Sequence, residues 1–155
     1  MMKHNRKDKK RVIDRLMRYN SYKIALEEEQ KKLSELINEK AQYMATITSP
    51  SLDKPPVKSQ QSDPTYAKVQ KATVLYDRRI TRQEEVVGAL EAWIKEVDNA
   101  LLRLTGPERI IVQGRYMTEG RPMTYMELAE ELNYSEVHCK RLKAVAICKL
   151  SRLLS

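Results

Sequence analysis

The chain has 155 residues and a formal charge of +8, with 4 Gly, 6 Pro and no Phe among abundant Lys, Glu, Leu and Ala. This composition points to an all-helical protein. No apolar run reaches the ~18 residues of a membrane span, and the basic start MMKHNRKDKKR lacks the apolar stretch of a secretory signal, so a cytoplasmic protein is expected.

The charge is uneven. Residues 3–11 hold six Lys or Arg against one acid, Asp8. Residues 137–155 hold Lys140, Arg141, Lys143, Lys149 and Arg152 and no acid. Two basic ends around a nearly balanced middle suit a polyanion such as nucleic acid.

Residues 9–44 contain neither Pro nor Gly. Val12, Ile13, Leu16, Met17, Ile24, Leu26, Leu33, Leu36, Ile37 and Met44 recur at three- and four-residue intervals. The pattern predicts one long amphipathic helix, or two with a kink near Tyr19-Asn20-Ser21. Residues 46–64 carry Pro50, Pro55, Pro56 and Pro64 among Ser, Thr and Gln, which reads as a flexible linker. At its end Asp63 can cap a second helix and Pro64 fits the first turn. That helix extends to about Leu104, with Val86, Leu90, Trp93 or Ile94, Val97, Leu101 and Leu104 close to a heptad seam. Two such stripes predict a long helical hairpin or coiled-coil-like pair. The same residues would serve a homodimer through the long helices, and spacing does not separate the two arrangements.

Residues 1–104 thus form a long helical region, and 105–155 a second domain. The second opens at Thr105-Gly106-Pro107-Glu108, a helix start. Ile110, Ile111, Val112, Tyr116 and Met117 mark a short helix, and Glu119-Gly120-Arg121-Pro122 turns the chain. Thr124 and Glu127 form a capping box. Asn133 stands where a left-handed residue is needed, and Ser135 can cap the next helix. Cys139, Leu142, Ala146 and Leu150 share one face of that helix, flanked by Val145 and Leu153.

This is the outline of a helix-turn-helix. The small Ala129 permits a close crossing. Leu128, Leu132, Tyr134, Cys139 and Leu142 would form the shared core. Ser135, Glu136, Val137, His138, Lys140, Arg141 and Lys143 would be exposed on the second helix, as on a major-groove reader. The fork of Arg141 suits guanine O6 and N7, whereas Lys143, Lys149 and Arg152 suit phosphates. Glu136 is favoured at a helix start by the dipole, and in the groove it could accept from a cytosine amine.

Glu108-Arg109-Ile110-Ile111, Arg115-Tyr116, Thr124-Tyr125, Glu127-Leu128-Ala129, Leu132-Asn133-Tyr134-Ser135 and Lys140-Arg141 together resemble the fourth region of bacterial sigma-70-type factors. With its long helical N-terminal part, the chain is similar to phage late-gene transcription regulators of the RinA and ArpU type. The resemblance implies a phage or prophage protein that binds double-stranded promoter DNA in its bacterial host and activates late operons. RNA polymerase becomes a candidate partner. Two departures stand out: Asn133 replaces the usual Gly, and Glu136 stands where a basic or small polar residue is commoner. Nothing resembles the promoter-melting part of a sigma factor, which favours an accessory regulator.

Two other readings remain at this level: a small terminase-like DNA-packaging protein, and a helical protein-interaction element without specific DNA binding. An enzyme is not expected. His4 and His138 are far apart, no acidic pair stands out at a metal-binding spacing and no Gly-rich phosphate loop is found, so no cofactor or metal is implied. Cys139 and Cys148 read as reduced thiols.

Overall fold

The computed structural model describes residues 6–48 and 64–154. Five helices follow one another: α1 (Arg6–Thr48), α2 (Pro64–Leu102), α3 (Gly106–Tyr116), α4 (Tyr125–Leu132) and α5 (Glu136–Leu153). There is no strand among the described residues, so the fold is all-α, with long helices first and a helix-turn-helix last. None of these helices is long and apolar enough to cross a membrane. The chain divides into two compact units, one drawn from Met1–Ala25 with Leu90–Ser155 and the other from Leu26–Ala89.

In the first unit α1 and α2 run antiparallel. Arg15 pairs with Glu96 at 2.7 Å and also donates to the main-chain oxygen of Leu154 at 3.1 Å. Tyr22 packs on Trp93 with ring centres 4.1 Å apart, and the Arg15 guanidinium lies 5.3 Å from the Trp93 ring. The Tyr19 hydroxyl donates to Asp98 at 2.5 Å. Burial, then the hydrogen bond and the charge of Asp98, push this phenol up to about 12. Val12, Leu16, Ile94, Val97, Leu101 and Leu104 are buried with Ile111, Val112, Ile147 and Leu150. Each such side chain contributes roughly 1.5–3 kcal/mol by leaving water.

In the second unit the pairing is more polar. Lys40 meets Asp77 at 2.5 Å, and Tyr43 packs on Tyr76 at 5.8 Å. Gln83 donates to the main-chain oxygen of Glu29 at 2.9 Å and to its carboxylate. That bond, with one from Lys32, holds the Glu29 carboxyl below its usual range. Leu26, Glu29, Leu33, Leu36, Lys40 and Tyr43 are half-buried at alternating three- and four-residue steps, which is a heptad seam.

Of the two arrangements expected for α1 the single long helix is found, continuous through Tyr19-Asn20-Ser21. There the Asn20 amide donates to the main-chain oxygen of Met117 at 2.7 Å, a tertiary role in place of a break. Several other expectations need correction. Met17, Ile24 and Ile37 are exposed, while Tyr19 and Tyr22 take the inward positions. On α2 the seam starts at the buried Val87, not the exposed Val86, and continues through Ile94 rather than Trp93. Residues 46–48 are helical, and α2 begins at Pro64. The rest of the expected linker and the Asp63 cap lie outside the described residues.

Candidate nucleic-acid interface

The scaffold begins at the end of α2. Arg109 donates to the main-chain oxygens of Leu101 at 3.1 Å and Leu104 at 3.3 Å, satisfying carbonyls that a helix end leaves open. Thr105 caps α3 by accepting from the Glu108 amide at 3.4 Å. The Glu108 side chain is almost fully buried, and its two carboxylate oxygens accept from Lys149 at 2.8 and 3.0 Å. Neighbouring residues of one motif therefore lock α2 to α3 and α3 to α5.

Arg115 holds the next turn. It donates to the main-chain oxygen of Met123 at 2.8 Å and lies 4.6 Å from the Tyr125 ring centre. The Met123 amide donates back to the Gly114 oxygen at 2.9 Å. A Cβ on Gly114 would sit 2.9 Å from the Met123 sulfur and 3.1 Å from a Leu128 methyl, so a larger residue there would require those two side chains to shift.

α4 starts at Thr124, whose hydroxyl accepts from the Glu127 amide at 3.2 Å. Glu127 also meets Arg121 at 2.8 Å. The Arg121 bond leads the effects that hold the Glu127 carboxyl below its usual range, with Thr124 adding to it. α4 ends at Asn133, which has φ 56° and ψ 39° and is the non-glycine residue with positive φ among those described. The amides of Asn133 and Tyr134 both point at the Ala129 oxygen, a Schellman-type stop. Ser135 then caps α5, accepting from the His138 amide at 3.1 Å.

The turn closes over a small core. Ile111, Leu128 and Cys139 are fully buried, with Met123, Tyr125, Ala129, Leu132 and Leu142 packed against them. Burial, reinforced by nearby Glu136, pushes the Cys139 thiol up, which keeps it protonated and unreactive. Cys139 and Cys148 are both free thiols.

Tyr134 is not in this core. It follows a left-handed residue, so its ring swings out over the first turn of α5, 39% exposed and edge-on to His138 at 4.8 Å. Ile111 from α3 and Met123 from the turn fill the interior instead. Sequence reading of two helices alone misses both, because the third wall of the core lies upstream. The inward face of α5 holds Cys139, Leu142, Ala146 and Leu150 as expected, but its flank is Ile147 and Ser151, both buried, while Val145 and Leu153 are exposed.

The outward face of α5 gathers Ser135, Glu136, Val137, His138, Lys140 and Arg141, all exposed. Lys140 and Lys143 lie 5.3 and 6.0 Å from the Tyr125 ring centre, sharing that ring with Arg115. Lys143 is half-buried, and Arg152 is exposed in the last turn of α5. Lys149 lies apart, its charge engaged by Glu108. Among the described residues no group of three or more His, Cys, Asp or Glu could hold a metal.

Comparison with known proteins agrees with this geometry over one third of the chain. No curated protein and no solved structure was found to match it. The family model described as Sigma-70, region 4 matches residues 100–152, the span from the last turn of α2 through most of α5. Residues 100–152 are therefore a DNA-binding helix-turn-helix of the sigma-70 region 4 kind, consistent with a transcriptional regulator.

Proposed function

We propose that the protein is a sequence-specific, double-stranded-DNA-binding regulator of transcription that lays α5 in the major groove. One observation carries the reading: the first two turns of α5 expose Glu136, Val137, His138, Lys140 and Arg141 while Cys139 anchors the opposite side in the core. A rigid helix with buried anchors and a free polar-basic face is what base reading requires. Arg141 reads a base edge, Lys140 and Lys143 contact phosphate or base, Arg152 contacts phosphate, and Ser135 presents the capped helix start to the backbone. Lys149 is left out of the set because its ammonium serves Glu108.

The resemblance of the sequence to phage late-gene regulators favours activation of phage or prophage late genes with RNA polymerase as partner. The test is transcription in vitro with purified host polymerase on phage late promoters, beside gel retardation on the same fragments. The proposal expects retardation of a discrete fragment by low protein concentration and more transcript from it. Equal retardation of all fragments, with no change in transcript, contradicts it.

A further inference from the structure

The first turns of α1 hold a group of cations that the helix-turn-helix does not account for. Arg6, Lys7, Lys9 and Lys10 are all exposed and, with Ile13, line one surface groove of the first unit. Their spacing puts Arg6 beside Lys9 and Lys10, and Lys7 beside Lys10, at the three- and four-residue intervals where like charges repel. None of the four forms an ion pair among the described residues, unlike Arg15, Lys40, Arg121 and Lys149. No ion pair among the described residues offsets that repulsion.

Where this face lies gives it a use. Lys9 and Ile13 also line a second groove together with Tyr116, Lys143, Ala144 and Ile147. Further along α1, Arg15 reaches the main-chain oxygen of Leu154 just past the end of α5. α1 therefore runs back along α5, with Arg15 at the C-terminal end of α5 and Lys9 beside its middle. Lys9 belongs to both grooves, so the α1 group of cations meets the basic side of α5 at Lys143.

We propose that Arg6, Lys7, Lys9 and Lys10 form a second phosphate-binding face, which grips the DNA backbone flanking the groove that α5 enters. The proposal rests on the reading of α5 as a DNA reader. Phosphates relieve the repulsion along α1 and release counterions, a sequence-independent gain. The α1 face thus supplies affinity and register, whereas α5 supplies sequence preference.

The experiment compares the full chain with a variant in which all four residues are alanine, on cognate and random duplexes over a salt series. A control variant, Lys31→Ala with Lys68→Ala and Lys71→Ala, removes exposed cations of the other unit. Alanine favours helix, and a thermal melt of each variant checks folding. A milder variant, Lys7→Gln with Lys10→Gln, serves if the first is poorly folded. The α1 variant is expected to weaken binding to both duplexes alike. Its salt slope should become shallower by roughly 0.9 for each phosphate no longer neutralised, or about 3.6 if all four cations engage. Its cognate-to-random ratio should stay that of the unmodified protein. Unchanged affinity and slope, with the unmodified protein binding normally, overturns the α1 face alone. Equal weakening by the control variant overturns it too, since net charge would then suffice. Failure of the unmodified protein to bind any duplex overturns the reading of α5 and this proposal together.

Discussion

At the scale of single residues, the bend between α4 and α5 rests on Asn133 and the two bonds to the Ala129 oxygen. A left-handed conformation costs most L-residues roughly 1–2 kcal/mol, less for asparagine and nothing for glycine. Replacing Asn133 by alanine is expected to lower unfolding free energy by about 1 kcal/mol in a urea titration, and glycine to leave it near the original. Equal loss from both would mean that the asparagine side chain, not its backbone, holds the turn. Lys149 gives a second residue-scale prediction. Its basic character in an acid-free tail suggested a phosphate contact, but it neutralises a carboxylate that the fold has buried. Lys149→Met should destabilise the protein by about 1–3 kcal/mol, short of a fully buried pair because the lysine is half-exposed. At equal folded fraction it should leave the salt slope of DNA binding unchanged. A shallower slope would restore the phosphate role.

At the scale of elements, helix existence, caps and the turn were legible because each has a local signature. Thr124 and Ser135 cap as their positions suggest, and of Thr105 and Gly106, either of which could cap α3, Thr105 does so. What was not legible is which neighbour fills each gap. Periodicity gives a face but tolerates an error of one residue, hence Val86 for Val87. It also favours aliphatics and so gives no sign of Tyr19 and Tyr22, although they carry the α1–α2 pairing in the first unit. Tyr134 and Ile111 exchanged places for the same reason: a core wall supplied by α3 leaves no mark on the sequence of α4 or α5. The Tyr19–Asp98 bond carries a pH prediction. The phenol ordinarily titrates near 10.0 and is held up to about 12 in the fold, so the native state retains its proton longer. Its contribution is complete below pH 10 and is lost as the pH rises toward about 12. The difference in stability between the native protein and Tyr19→Phe should therefore shrink across that interval in parallel denaturant titrations. A difference independent of pH would contradict the raised phenol.

At the scale of the whole molecule, the first unit joins three kinds of work in one core. α2 and the start of α1 supply a base, α3 braces it, and α5 carries the exposed polar and basic face. The motif residues are largely mechanical: Arg109 closes α2, Glu108 ties α3 to Lys149, and Arg115 pins the turn before α4. In the proposed function their part is to hold α5 still, and the base contacts fall to Arg141 and its neighbours. Interference by dimethyl sulfate tests this most directly, because it methylates guanine N7 in the major groove. On a site located by footprinting, methylation of particular guanines should block binding, and Arg141→Ala should remove the block at one of them. Binding indifferent to every N7 methyl group would contradict a major-groove reader built on α5.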